Sequence, residues 1–297
     1  MPDPDSSINR TEQESPPADC ASSTPPVRVL VGAASHVGKV RQNNEDQYAV
    51  IRRRRSREAL MTSLPSGVLF EDEEEAYILL VADGMGGAAF GEVASELAVR
   101  TIWELEASMG SWPDKVDDNS ANRLQEDVDD FIQLIHRRIR QRAREQPELV
   151  GMGTTLTAVI SIGLDVFVVH VGDSRAYHAY GDEIRQITRD HTLAQQLVDA
   201  GIEASRTQAF QHVLTNCLGA DARQVTSEIH HLLLNQGDHL ILCTDGLSDL
   251  VSADEIHLAI TGTDGSQSAC ERLIELALER GGKDNITVVI ARFGSSD

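Results

Sequence analysis

Apolar residues recur along the chain in patterns that predict strands over much of its length. Apolar runs predict a strand beginning at Val27, another near 47–51 and a fully buried strand over 76–82. Similar runs predict strands at about 155–162, 166–171, 175–179, 225–233, 239–244 and 286–293. We therefore expect a protein whose framework is built mainly from strands.

One short helix is expected in the less regular stretch 193–219, and four longer segments carry helix signals. One apolar stripe covers 98–109, and a second covers 124–139 with basic residues on the opposite face. Ser252 and Glu255 form a capping box that starts a helix reaching about residue 260, and a last stripe follows at 269–277. Because these helices come in two pairs and do not alternate with strands, the pattern predicts an α+β protein without a doubly wound parallel sheet.

The pattern also divides the chain into regions. Residues 1–26 hold six of the nine prolines and almost no apolar residues, which predicts a disordered tail before a single domain over 27–297. Within the domain, a charged insertion over 52–76 begins with an arginine run and ends with an acidic run. Opposite charge blocks of this kind are typical of a solvated, loosely paired loop, and a protein-docking loop is the alternative.

Composition narrows the function classes. The chain has 297 residues, with 26 Lys and Arg against 47 Asp and Glu, and a formal net charge of −21. This balance disfavours nucleic acid and anionic membranes as partners, because both require a basic surface. The four cysteines form no C-x-x-C pair, and we find neither a membrane-spanning apolar run nor a signal sequence. We therefore expect a cytoplasmic protein.

Acidic residues stand at the ends of several predicted strands, most of them beside glycine. These positions are Glu45-Asp46, Asp83-Gly84, Gly172-Asp173, Asp245-Gly246 and Asp284-Asn285. A single such residue is usually a cap or a turn, but five carboxylate positions that converge would need cations to offset their repulsion. Oxygen ligands without Cys or His suit Mg²⁺ or Mn²⁺, and two such ions about 4 Å apart would form a hydrolytic centre.

Other motifs near these acids have competing interpretations. Arg41 is suited to bidentate capture of a substrate phosphate, and the alternative is an ion pair with a nearby carboxylate. The segment 84–89 fits a dinucleotide fingerprint, but Asp83 would place a negative charge beside the pyrophosphate. We interpret Ser174 and the Thr154-Thr155 pair as turn and packing residues, and His191 as structural.

Six short motifs, in this order, carry a resemblance to a known family. They are Gly-Lys-Val-Arg-Gln-Asn-Asn-Glu-Asp (38–46), Val-Ala-Asp-Gly-Met-Gly-Gly (81–87), Gly-Met-Gly-Thr-Thr (151–155), Val-Gly-Asp-Ser-Arg-Ala-Tyr (171–177), Thr-Asp-Gly-Leu (244–247) and Lys-Asp-Asn-Ile-Thr (283–287). From 27 to 293 the chain resembles the metal-dependent protein phosphatase 2C family, in particular its bacterial serine/threonine phosphatases. The resemblance implies a central sandwich of two antiparallel β-sheets with α-helices on both outer faces.

The resemblance also implies an activity and a set of roles. The activity is hydrolysis of phosphoserine and phosphothreonine by metal-activated water at a binuclear Mg²⁺ or Mn²⁺ centre. Asp83 would bridge the two ions, with one served by Glu45 and the Gly84 carbonyl and the other by Asp245 and Asp284. By the same resemblance, Asp173 and Asp245 would form a third metal site. Asp46 would hold metal-bound water, and Arg41 would bind the substrate phosphate.

The chain departs from the family pattern at three places. Met85 stands where many eukaryotic members have a histidine, so water would protonate the leaving oxygen. Asn216 replaces an arginine of many bacterial members in a flap, about 190–224, that we expect to govern substrate choice. The insertion over 52–76 is longer than expected. The partners implied are phosphorylated proteins and a serine/threonine kinase, with the chain acting as a monomer. A binding-only pseudophosphatase and a hydrolase of small phosphate esters are the alternatives.

Overall fold

Strands and helices are resolved over most of the chain in the computed structural model, which describes residues 27–56, 61, 63, 73–86, 90–108, 118–220 and 224–295. The strands are β1 Val27–His36, β2 Gln47–Ser56, β3 Glu73–Ala82, β4 Gly84–Met85, β5 Gly153–Thr154, β6 Leu156–Ile162, β7 Asp165–Val171, β8 Arg175–Tyr180, β9 Glu183–Gln186, β10 Leu218–Gly219, β11 Glu228–Leu233, β12 His239–Cys243 and β13 Ile286–Ser295. The α-helices are α1 Gly91–Ser108, α2 Asp118–Glu145, α3 Leu193–Asp199, α4 Asp245–Ser248, α5 Ala253–Thr261 and α6 Ser266–Glu279. The predicted tail, 1–26, lies outside the described residues.

Two antiparallel five-stranded sheets form the centre of the fold. The first sheet has the strand order β1-β13-β12-β8-β9, and the second has the order β11-β7-β6-β3-β2. Their facing surfaces pack through a cluster that includes Leu79, Val168, Leu240 and Phe293. The expected sandwich of antiparallel sheets is therefore confirmed.

Helices cover both outer faces of the sandwich. Side chains of α1 and α2, such as Ala98 and Ile135, pack on the outer face of the second sheet. Those of α5 and α6, such as Ile256 and Leu273, pack on the first sheet. One apolar cluster lies between the two sheets, and one lies between each sheet and its helices. Each sheet is therefore buried on both faces, which explains why its strands are almost continuously apolar. No helix in the described part of the chain is long and apolar enough to cross a membrane.

The hairpin of β2 and β3 corrects the predicted bounds of the charged insertion. The arginine run was assigned to a loop, but β2 continues through it to Ser56, and β3 begins at Glu73. Arg54 pairs with Glu75 across the two strands, and its Nε donates to Oε1 at 2.6 Å. Opposite charges on neighbouring strands stabilise their pairing. The two charge blocks therefore lie on the paired strands β2 and β3. Most of the segment between these strands lies outside the described residues.

The two ends of the sandwich differ in character. At one end, tight turns join β6 to β7 and β8 to β9, and each turn contains a glycine with positive φ: Gly163 at 60° and Gly181 at 54°. A side chain added at either glycine would meet no atom within 4 Å. At the other end lie the strand termini that carry acidic residues, together with a small sheet of order β10-β5-β4. That small sheet was not predicted, because strands of two residues have no detectable periodicity.

Candidate metal centre

Acidic side chains from both sheets line one open cleft, at the end of the sandwich opposite the tight turns at Gly163 and Gly181. The second sheet contributes residues next to β2, β3 and β7, and the first sheet contributes residues next to β12 and β13. The cleft has a volume of about 760 Å³. The predicted site residues that line it are Arg41, Glu45, Asp83, Gly84, Asp173, Asp245 and Asp284. Asp46 does not line the cleft and is buried, with 4% of its surface exposed.

Asp83 is held at the end of β3 by hydrogen bonds to its main chain. Its amide donates to the hydroxyl of Thr155 at 2.9 Å, and its carbonyl accepts from the hydroxyl of Thr154 at 2.9 Å. Thr155 is in turn 2.8 Å from the hydroxyl of Ser174. We interpreted these residues as turn and packing residues. Their hydroxyls position Asp83, and Thr155 also lines the cleft.

Asn285 organises the loop that carries Arg41, Glu45 and Asp46. Its side-chain oxygen accepts from the amide of Glu45 at 2.8 Å, and its side-chain nitrogen donates to the carbonyls of Val37 and Asn43, both at 2.9 Å. Asn285 is buried, with 5% of its surface exposed. Because Asn285 follows Asp284 directly, it fixes the position of Glu45 relative to the carboxylates of the first sheet.

Asp46 lies behind the cleft with one carboxylate oxygen satisfied and the other free. Oδ2 accepts from the hydroxyls of Thr244 at 2.9 Å and Thr287 at 2.7 Å. Oδ1 is buried and has no hydrogen-bond partner among the described residues. A buried oxygen left without a partner is costly, and in native proteins it commonly contacts water or an ion. The predicted role of Asp46, holding water beside the acidic cluster, fits this free oxygen.

Electrostatic repulsion among the carboxylates is strong. Burial, together with Asp46 and Asp245, raises the pKa of Asp83 well above its ordinary value. Burial and the same Asp245 raise the pKa of Asp173 to about 8. Burial also raises the pKa of Glu45. Nearby cations would relieve both the desolvation and the repulsion, so the cluster is chemically suited to hold them.

Arg41 pairs with one of the acids. Its Nη2 lies 2.7 Å from Oδ2 of Asp284, and about half of its side-chain surface is exposed. The carboxylate pairing that the sequence left open is therefore present in the structure. The guanidinium also lines the cleft, which leaves it within reach of a ligand there.

The flap, residues 190–224, borders the other side of the cleft. Its base is a short ladder in which the amide of Leu193 donates to the carbonyl of Val213 and that of Thr215 donates to the carbonyl of His191, both at 2.8 Å. His212 lines the cleft, and its Nδ1 lies 3.6 Å from Oδ2 of Asp245, whose carboxylate raises the pKa of the imidazole to about 8. His212 was not predicted from the sequence, because its spacing matches no ligand motif.

His191 and Asn216 join the flap base to the rest of the domain. The amide of Gly172 donates to Nδ1 of His191 at 3.1 Å, so the imidazole supports the loop that carries Asp173. The side chain of Asn216 lies 3.0 Å from the same Nδ1 and also donates to the carbonyl of Thr226 at 2.7 Å. These contacts fit the structural role expected for His191, and Asn216 braces the flap without lining the cleft.

Comparison with known proteins places the chain near one group. A family model described as protein phosphatase 2C matches residues 67–279. The chain is 38% identical over 218 residues to the serine/threonine protein phosphatase PstP of Mycobacterium tuberculosis, covering 73% of the chain and 40% of that relative. It therefore spans well under half the length of PstP. It is also 32% identical over 257 residues to the serine/threonine phosphatase stp of Listeria innocua, covering 85% of the chain and 91% of that relative.

A solved structure gives the same result for the fold. The catalytic domain of PstP, solved in complex with two manganese ions, superposes with a TM-score of 0.71 at 32% sequence identity. The superposition covers 91% of this chain and all of that domain.

Proposed function

The chain belongs to the protein phosphatase 2C family, and from this premise we propose that it is a metal-dependent serine/threonine protein phosphatase. One observation carries the proposal: carboxylates from two separate sheets converge on one cleft, with an arginine beside them. Such a cluster has no structural benefit of its own, because burial and mutual repulsion raise the pKa of its members. The substrates would be proteins phosphorylated on serine or threonine.

The acidic residues would hold two Mn²⁺ or Mg²⁺ ions. Asp83 would contact both, Glu45 and the Gly84 carbonyl would serve one, and Asp245 with Asp284 would serve the other. Asp173 and Asp245 would form a third site. When bound, the ions would lower the pKa of a coordinated water and neutralise charge on the phosphoryl group. The two manganese ions of the PstP catalytic domain support this assignment.

The remaining residues would position the substrate and the attacking water. Arg41 would exchange its carboxylate partner for two oxygens of the phosphate, since a guanidinium binds both groups in the same bidentate geometry. The free Oδ1 of Asp46 would accept a hydrogen bond from water, with its other oxygen fixed by two threonine hydroxyls. Met85 lines the cleft and offers no proton, so solvent would protonate the leaving oxygen.

The decisive experiment measures phosphate release from a phosphothreonine peptide with Mn²⁺, with EDTA, and with the variants Asp83→Asn and Asp284→Asn. We expect release that requires metal and falls at least about 100-fold in both variants, because each loses a charged ligand. Asp264→Asn is the matched control, since Asp264 is exposed and lies outside the cleft. Circular dichroism would show that all variants remain folded.

Other outcomes would separate the alternatives. Full activity in both cleft variants would contradict the ligand assignment. Mn²⁺ binding by calorimetry without release from any phosphopeptide would favour a protein that binds phosphoproteins without hydrolysing them. Turnover of small phosphomonoesters but not of peptides would favour a small-molecule phosphatase.

The cellular setting is also a proposal. A serine/threonine kinase would supply the phosphoproteins that this chain hydrolyses. A cytoplasmic location is supported by Cys217, Cys243 and Cys270, which are buried as free thiols and form no disulfide among the described residues. We propose that the chain acts as a monomer, and the mass of the purified protein in solution would test this.

A further inference from the structure

Helix α2 carries an unusual concentration of arginine. Its C-terminal half includes Arg137, Arg138, Arg140, Arg142 and Arg144, in a chain whose formal net charge is −21. Arg138 pairs with Glu104 of α1, with Nη1 2.5 Å from Oε2. Within the described part of the chain, no ion pair engages Arg137, Arg140, Arg142 or Arg144. What distinguishes these arginines is their concentration on one helix of an otherwise acidic protein.

Three of the four unpaired arginines, called here the arginine stripe, lie along one side of α2. Their spacing of three and four residues places Arg137, Arg140 and Arg144 above one another on the helix. The same line continues towards the N-terminus through Gln133 and Asp129 at steps of four. Those two side chains contact the segment that follows the flap, because Gln133 donates to the Val225 carbonyl at 2.9 Å and Asp129 accepts from the Ser227 hydroxyl at 2.7 Å. The arginine stripe therefore lies on the side of α2 that contacts the segment following the flap.

Helix α2 itself is close to the cleft. On α2, Ile139 packs against Gly219, and the amide of Gly219 donates to Nδ1 of His136 at 3.1 Å. Gly219 belongs to β10, which pairs with β5, which pairs in turn with β4 at the cleft wall. Two strand spacings amount to about 10 Å. An extended peptide with its phosphate in the cleft would need only a few residues to reach α2.

The size of the stripe decides what kind of partner fits it. From Arg137 to Arg144 the helix rises about 10 Å, the length of three residues of an extended chain. Exposed acids flank the stripe, with Asp129 and Asp130 on one side and Glu145 and Glu148 on the other. Nucleic acids and anionic membranes present charge over longer distances and would meet these acids as well. A short acidic segment would contact the arginines alone.

We propose that the arginine stripe of α2 is a docking site for a short acidic segment of the phosphoprotein substrate, a few residues away from the phosphorylated side chain. This inference rests on the proposed phosphatase function and adds a preference among substrates. Arg137 and Arg144 are exposed and Arg140 is half-buried, so a carboxylate can approach this side of the helix from solvent. Attraction of this kind falls with ionic strength.

The test compares two phosphothreonine peptides that differ only in three residues, glutamate in one and glutamine in the other. The triplet lies four to six residues from the phosphothreonine, and separate pairs place it on the N-terminal and the C-terminal side. We expect the native chain to prefer one acidic peptide by about tenfold in kcat/KM, the combined effect of three exposed ion pairs. The variant Arg137→Gln/Arg140→Gln/Arg144→Gln should lose this preference and keep its kcat/KM for the glutamine peptide.

A matched variant controls for net charge. Arg28→Gln/Arg185→Gln/Arg292→Gln removes the same charge from exposed strand positions of the first sheet, away from the cleft. It should retain the preference, and 0.5 M NaCl should abolish the preference in every case. An unchanged preference in the stripe variant would overturn the proposal, as would a stripe variant that instead loses binding to phosphatidylserine vesicles. Absence of turnover with either peptide in the native chain would contradict the phosphatase function itself.

Discussion

Replacing Asn285 with alanine tests how the loop of Arg41 and Glu45 is held in place. The substitution removes three hydrogen bonds at once and leaves the Glu45 amide and the carbonyls of Val37 and Asn43 without their partner. A hydrogen bond of this kind contributes roughly 0.5–1.5 kcal/mol, so we expect the free energy of unfolding to fall by about 3 kcal/mol. Only 5% of the Asn285 surface is exposed, so water cannot fully replace the lost hydrogen bonds.

The same change should weaken the metal centre. Groups that orient a ligand without touching the metal typically change its affinity by roughly 10–100-fold, and Asn285 orients the Glu45 main chain directly. We expect Mn²⁺ affinity to fall by about tenfold or more, because the freed loop must be ordered again when the ion binds.

Two measurements separate these effects. Urea unfolding in EDTA reports the stability of the metal-free fold, and calorimetric titration with Mn²⁺ reports the site. Asn235→Ala is the control, since Asn235 is an exposed asparagine away from the cleft. A loss of stability with unchanged Mn²⁺ affinity would refute the reasoning that Asn285 holds the site. Unchanged stability would refute the assigned hydrogen bonds.

Three further outcomes follow from the structure. Burial lowers the pKa of His170 from 6.5 to about 4, so as pH falls the imidazole is protonated in the unfolded chain before it is protonated in the folded protein. The free energy of unfolding should therefore fall by about 3 kcal/mol between pH 6.5 and pH 4. Urea midpoints across this range should fall less steeply in His170→Gln, and an identical slope would argue against a neutral buried imidazole. Gly246→Ala would place a methyl group against the Asn285 carbonyl and should lower the melting temperature and Mn²⁺ affinity together, whereas native values for both would show that the close approach is not rigid. Thr155→Val should cost roughly 1–3 kcal/mol in urea unfolding, because the Asp83 amide loses its acceptor, and a native midpoint would show that another group replaces the hydroxyl.

Most strands and helices of the framework were predictable because their apolar residues recur in regular patterns along the chain. Continuous apolar runs located the buried strands, apolar stripes located α1, α2 and α6, and a capping box located α5. The bounds were less certain where charge and hydrophobicity disagree. Arg52 to Arg55 look like a loop by charge, yet β2 continues through them, with Arg54 and Arg55 opposite Glu75 and Glu74 of β3.

The site was predictable where residue type alone determines chemistry. Carboxylates beside glycine at strand ends indicated a cation site, and the structure brings Glu45, Asp83, Asp173, Asp245 and Asp284 to one cleft. Supporting residues could not be read in the same way. The role of Asn285 depends on main-chain groups 240 or more positions away along the chain, and that of His212 depends on how the flap folds back.

The tight turns at Gly163 and Gly181 place tolerance to change far from the chemistry. Their surroundings are open, and β7 runs from the turn at Gly163 to the end of the sandwich that holds the acidic cleft. Exposed turns of this kind accept inserted sequence more readily than other parts of a domain. A reporter peptide, an affinity tag or a new pair of chain ends introduced at Gly181 would therefore leave the cleft, the flap and α2 intact. This end of the sandwich is a natural attachment point for fixing the protein to a surface with its cleft facing solution.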